Sequence, residues 1–278
     1  MGVCDIKKDR AKEVARKYNT KYFLDHSDML DKVDAVSIAV PTSFHYMVAK
    51  DFLEKGVHVL IEKPITKTLE EADELLSLAK KKNLIVQVGH IERFNSAVRA
   101  VEPLLQKAKF IECQRLGSIK KKKRIQDVGV VLDLMIHDID IILGLVNSKV
   151  KHIEAFGLST VSDYEDIANV RLTFQNNTIA DITASRVTKE EVRKLRIFQE
   201  ESYILLDYMH HEAFLFKKSD RGLEKVKIRS RKKNALKVEL KSFIDCVRNM
   251  KKPIVSGVEG RQALRVALDI LDKINGKV

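Results

Sequence analysis

Over the first 90 residues the apolar positions switch repeatedly between a period of two and a period near 3.6. That alternation is the strongest single constraint on the fold. Residues 3–5 end a short strand, 8–18 carry helical spacing, 21–24 are extended, and Asp25 or Ser27 can cap a small helix. Residues 35–40 (AVSIAV) read as a buried strand stopped by Pro41, and 43–56 as a helix ending at Gly56. Residues 57–61 (VHVLI) form the next strand, closed by Glu62-Lys63-Pro64. Thr68 with Glu71 makes a capping box for a helix to about Lys82, and residues 84–88 are extended up to Gly89. Strands joined by whole helices pair in parallel through right-handed crossovers, which predicts a Rossmann-like sheet.

Such a sheet opens with a strand, a glycine-rich turn and a helix whose N-terminus receives a pyrophosphate, followed about 20 residues later by an acid for the ribose hydroxyls. Asp5 stands where that acid belongs. The chain contains no Gly-x-Gly-x-x-Gly, so the sequence is expected to begin at the second strand of the usual order, a truncated Rossmann-like domain.

The remainder holds a helix after Phe94, a strand near 110–116, a helix over 128–145, a run of strand-like segments from 150 to about 228, and helices near 235–250 and 257–275. A chain of 278 residues exceeds what most single cores accommodate, so two domains are expected, 1–93 and 94–278.

Composition excludes several classes. The longest apolar stretch, residues 128–146, is interrupted by Asp133, His137, Asp138 and Asp140, each costly in a bilayer, so no membrane span is expected. The N-terminus has no apolar signal-peptide region, and a cytoplasmic location follows. Cys4, Cys113 and Cys246 are odd in number and far apart, forming neither a disulfide framework nor a metal knuckle. His26, His152, His210 and His211 have no metal-site spacing, and no metal is expected. The net charge of +12 is densest at Lys120–Arg124, but without stacking aromatics this reads as a solvated loop and not as a nucleic-acid site.

Five segments together carry a resemblance: residues 39–45 (AVPTSFH), 56–64 (GVHVLIEKP), 89–95 (GHIERFN), 127–140 (DVGVVLDLMIHDID) and 253–257 (PIVSG) with Gly260. In that order, they resemble the Gfo/Idh/MocA family of NAD(P)-dependent oxidoreductases across nearly the whole chain. The resemblance implies an α/β protein: a Rossmann-like parallel-sheet domain followed by an α/β domain with a large, open, mainly antiparallel sheet. That sheet often forms a subunit interface, hence an expected homodimer or homotetramer. The wording of residues 130–142 is similar to the branch acting on UDP-amino sugars, which implies oxidation of a 3-hydroxyl. The partner expected is therefore a sugar or nucleotide-sugar substrate.

Oxidising a sugar hydroxyl needs a base for the O–H proton while hydride leaves carbon. Lys63 lies at the carboxyl end of a parallel strand, where a lysine is by default only solvated. Asp133, His137 and Asp140 share one face of a helix, where a satisfied core histidine is the plain reading. The resemblance instead implies catalytic Lys63, His137 and Asp133, with His137 as acid/base and Asp133 orienting it or binding a sugar hydroxyl. Lys63 as the base, with His137 only positioning, stays open. Met135 stands where the family pattern has glycine.

For the cofactor the resemblance implies Asp5, Pro41, Thr42, His45, Glu62, Lys63 and Arg93, although His45 and His58 also suit structural hydrogen bonding. Asp5 favours NAD over NADP because a carboxylate accepts the ribose hydroxyls and repels a 2′-phosphate; Lys7 and Lys8 pull the other way. Asn95, Asp133 and His137 are implied at the substrate. Arg115, Lys123 and Arg124 are candidates for a diphosphate, since guanidinium and ammonium groups suit phosphate. Two rival readings remain: a catalytically incomplete sugar-binding or scaffold member of the family, and, on charge alone, a nucleic-acid binder.

Overall fold

The computed structural model describes residues 2–118, 128–220 and 222–277. They divide into two compact units, one of residues 2–89 with Lys241–Arg261 and one of His90–Leu240 with residues 262–277.

The first unit is built from β1 (Gly2–Cys4), α1 (Lys8–Tyr18), β2 (Lys21–Phe23), β3 (Ala35–Ile38), α2 (His45–Glu54), β4 (His58–Glu62), α3 (Leu69–Lys81) and β5 (Val86–Gly89). Every pairing among these strands is parallel, as the helical connections require. They form two ladders, β1–β2 and β3–β4–β5, where the periodicity alone suggested one sheet. Val59, Leu60, Ile61 and Val88 are almost wholly buried, the mark of strands covered on both faces. The sequence punctuation is realised in detail. Asp25 accepts from the N–H of Ser27 and caps the short turn His26–Met29, Thr68 and Glu71 form a reciprocal capping box at α3, and Gly56 follows α2 at φ 81°. The glycines of the C-terminal block are sites of close packing. A Cβ on Gly260 would lie 2.4 Å from Val88, and one on Gly257 2.4 Å from Leu76. Val255 accepts a hydrogen bond from the N–H of Val88 alongside them.

The second unit contains α4 (Ser96–Val101), β6 (Phe110–Ser118), α5 (Ile136–Val146), β7 (Val150–Leu158), β8 (Ile167–Phe174), β9 (Ile179–Ser185), β10 (Val187–Phe198), β11 (Ser202–Asp207), β12 (Glu212–Ser219) and β13 (Gly222–Ile228). The helices α6 (Ala235–Asn249) and α7 (Gly257–Ile274) close the chain. The eight strands make one sheet, ordered β13-β12-β11-β10-β6-β9-β8-β7, antiparallel except for the parallel pair β6–β9. One face packs on α5 and α7 through Ile111, Ile182, Leu195, Ile136, Ile139 and Val266. The opposite face carries a row of half-buried aromatics across four strands. Phe110 stacks on Phe198, Phe198 on Tyr203 and Tyr203 on Phe216, with centroids 5.7, 5.4 and 4.3 Å apart.

The helix expected over 128–145 starts later and is wound in two ways. Val131–Met135 is a π-helical turn that runs directly into α5. Its start is fixed from outside the helix, because Glu165 accepts from the N–H of Val130 with its carbonyl and from the N–H of Val131 with its carboxylate. The Glu165 carboxylate fills the space where a Cβ on Gly129 would sit.

Candidate functional site

In the first unit the expected cofactor residues fall at the carboxyl ends of parallel strands, the edge where open α/β sheets bind ligands. Asp5 follows β1; its carboxylate accepts from the N–H of Lys7 at 2.8 Å, faces Arg10 at 3.3 Å and stays partly exposed. Pro41 and Thr42 follow β3, at the head of the turn Thr42–Phe44. Glu62 ends β4 and is paired with Gly89 of β5, where a Cβ would come within 3.0–3.2 Å of Glu62. Lys63 comes next, half-buried, with the Lys63–Pro64 bond cis.

His45 is 1% exposed and both its ring nitrogens meet backbone carbonyls, Nδ1 that of Pro64 at 2.8 Å and Nε2 that of Val40 at 3.0 Å. The ring thereby ties the ends of neighbouring strands β3 and β4 at the residues flanking Pro41 and Lys63. Both ring nitrogens are thus engaged with backbone, the structural hydrogen bonding that His45 also suits. His58 is structural as well: its Nδ1 accepts from the N–H of Ile85 at 2.9 Å, and burial holds its pKa below the usual histidine value.

In the second unit Asp133 lies in the π-helical turn and His137 in the first turn of α5, both half-buried. π-helical turns inside α-helices are frequent at functional sites. The His137 ring stands edge-on to that of His90, with centroids 6.1 Å apart and planes at 87°. The next residue, Asp138, is fully buried and gripped by Arg115, Nε to Oδ2 at 2.6 Å and Nη2 to Oδ1 at 2.8 Å.

Arg115, expected at a diphosphate, is engaged inside the unit. Its guanidinium is 5% exposed at the side chain, is committed to Asp138 and Glu92, and lies over the ring of Tyr208. Burial alone would pull its pKa down, but the two carboxylates more than offset that and keep it charged. A group already forked on one carboxylate has little left for a diphosphate. Arg93 is likewise taken up inside the unit. Its Nη1 donates to the Asp140 carbonyl at 3.4 Å, and the guanidinium occupies the space a Cβ on Gly144 would need. Asn95 is 3% exposed, accepts from the N–H of Ala97 to cap α4, and donates to Glu92 and the Tyr208 carbonyl. Arg93 and Asn95, expected near the cofactor and the substrate, make these contacts inside the unit. Lys123 and Arg124 lie outside the described residues. Among the described residues, no cluster of His, Cys, Asp and Glu is arranged to hold a metal, and no helix is long and apolar enough to cross a membrane.

Sequence reasoning passed over His90 and Glu92 as individual residues, although both stand in the GHIERFN block. The available signal was the charge pattern: a helix with four polar residues among isoleucines needs basic and polar partners elsewhere.

Comparison with known proteins fits this geometry. Residues 1–90 match the family described as an oxidoreductase family with an NAD-binding Rossmann fold, and residues 103–204 match its GFO/IDH/MocA C-terminal domain. The chain is 34% identical over 276 residues to a UDP-N-acetylglucosamine 3-dehydrogenase of Acidithiobacillus ferrooxidans, covering 97% of this chain and 88% of that protein. It is 27% identical to a scyllo-inositol 2-dehydrogenase (NAD(+)) of Bacillus subtilis, over 96% of this chain and 83% of that one. A solved structure of the Acidithiobacillus ferrooxidans enzyme superposes with a TM-score of 0.94, covering 99% of this chain and 89% of that chain. A levoglucosan dehydrogenase complex with NADH and levoglucosan, at 18% identity, shares the fold with a TM-score of 0.88, covering all of this chain and 88% of that one.

Proposed function

The chain belongs to the Gfo/Idh/MocA oxidoreductase family, and from that premise we propose that it is an NAD-dependent dehydrogenase oxidising the C3 hydroxyl of a UDP-linked amino sugar. The observation that carries the reading is the similarity over 97% of the chain to an enzyme named for that reaction. The spans given to cofactor and substrate are residues 1–93 and 94–278.

The residues present suit NAD. The partly exposed Asp5 carboxylate at the end of β1 is the acceptor a ribose diol needs. Thr42 and the half-buried Lys63, at the ends of β3 and β4, add a hydroxyl and an ammonium at the binding edge of the sheet. Bound NAD supplies the acceptor for the hydride that leaves C3. The protein's own part is proton transfer and orientation: His137 takes the hydroxyl proton, Asp133 orients the ring or holds a neighbouring sugar hydroxyl, and the Lys63 ammonium holds the reacting oxygen. Lys63 as the base, with His137 positioning, is the second arrangement these residues support.

Cytoplasmic residence belongs to the same reading, as does assembly into a homodimer or homotetramer through the aromatic face of the eight-stranded sheet. Phe198, Tyr203 and Phe216 offer a rigid apolar row of the kind that fills interfaces.

The test is turnover of NAD with UDP-N-acetylglucosamine, followed by NADH absorbance, beside a fluorescence titration with NADH. We expect NADH to bind, the UDP-sugar to be oxidised and free N-acetylglucosamine to be a much poorer substrate. Binding of NADH without turnover of any UDP-amino sugar would overturn the substrate assignment, and no binding would favour a scaffold role.

A further inference from the structure

One short turn, Ile91–Phe94, with His90 as its leading residue, braces the helix that carries His137. Arg93 of this turn reaches the Asp140 carbonyl and fills the space beside Gly144, one and two turns along α5 from His137. Glu92 reaches Arg115, whose fork holds Asp138, the residue directly after His137. These contacts hold the α5 backbone beyond His137. His90 meets the His137 ring edge-on at 6.1 Å. It is 1% exposed, whereas His137 is half-buried.

Resting on the reading of His137 as a catalytic group, we propose that His90 is a positioning residue that sets the orientation of the His137 imidazole through ring contact. A near-perpendicular pair is the favoured geometry of aromatic contacts at such separations, and a catalytic group loses rate steeply when it is turned or shifted.

The experiment compares His90→Ala and His90→Phe in the full chain. His90→Ala is expected to lower kcat with UDP-N-acetylglucosamine about 10- to 100-fold, with KM for the sugar and Kd for NADH within about twofold of wild type. His90→Phe, which keeps a flat ring, is expected to recover most of that loss. Unchanged kcat in His90→Ala, or a His90→Phe no better than His90→Ala, would overturn the proposal. So would a parallel loss of NADH affinity. If His90→Ala does not fold, His90→Gln takes its place and must fall below His90→Phe. A second readout needs no activity: the imidazole C–H resonances of His137, identified by their loss in His137→Gln, must shift in the His90 variants. If they shift while wild type turns over no UDP-sugar, the functional reading fails and the contact stands. If they stay put, the positioning role is refuted whatever the substrate.

Discussion

Arg115 holds both carboxylate oxygens of Asp138 from the neighbouring strand β6, one residue along α5 from His137. Both side chains are removed from water, at 5% and 0% exposure. A buried pair of this kind is worth little against a well-packed apolar pair, but breaking it leaves an uncompensated charge in the core. Arg115→Met should therefore destabilise the second unit by about 3–5 kcal/mol, whereas Arg115→Met with Asp138→Leu should restore most of that loss. Urea unfolding of the three proteins decides the matter. A double variant as unstable as the single would show that the hydrogen bonds, and not the stranded carboxylate, set the cost.

Gly144 and Arg93 make a prediction in which the sign depends on background. An alanine Cβ at 144 would fall 2.1 Å from Arg93 Nη1, so the guanidinium must leave its place by Asp140. Alanine in a helix interior is about 1 kcal/mol better than glycine. Gly144→Ala should thus stabilise an Arg93→Ala protein by about that amount and give no gain, or a loss, in wild type. Equal effects in both backgrounds, measured by denaturant midpoint, would mean that the two residues do not compete.

Much of the first unit was legible because its signals are local. The capping box at Thr68 and Glu71, the glycine after α2 and the alternating periods each need only a few neighbouring residues. The partition of its strands into two ladders is a long-range outcome that no local period encodes. The same limit explains the site. Lys63, Asp133 and His137 stand out through their motifs, whereas the internal partners of Arg115, Arg93 and Asn95, namely Asp138, Asp140 and Tyr208, are distant in sequence and carry no local signal. The π-helical winding of Val131–Met135 was hidden for a like reason, since its start is held by Glu165, more than thirty residues later.

Asp166 gives the second unit a defined response to acid. Burial would push its carboxyl up, but the N–H groups of Val161 and Thr160, the Arg186 guanidinium and the Ser162 hydroxyl together hold it well below the usual carboxylate range. A depressed folded value means that its stabilisation is complete above the unfolded value, about 3.9, and is lost as pH falls from there toward the folded one. Asp166→Asn leaves Arg186 buried without its anion. The stability gap between wild type and this variant should be wide at neutral pH and start to close only once pH falls below about 4. Thermal unfolding from neutral to acid pH measures it, and a gap constant across that range would rule out a depressed Asp166.

His45 offers the sharpest separation of a structural from a binding role in the first unit. A neutral imidazole has one N–H, so one of the two carbonyls, Val40 or Pro64, takes it, and the other faces the remaining nitrogen. His45→Phe keeps a ring in the buried site but removes that donor, leaving the carbonyl that accepted it short of a partner. That loss should cost about 1–3 kcal/mol in urea unfolding. The same carbonyls belong to the residues before Pro41 and after Lys63, so loosening them should also disturb the strand ends expected to meet the cofactor. NADH affinity is therefore expected to fall in His45→Phe, under conditions where the variant is still fully folded. A stability loss with unchanged NADH affinity would mean that the tie between β3 and β4 serves the fold alone, and that the strand ends keep their places without it.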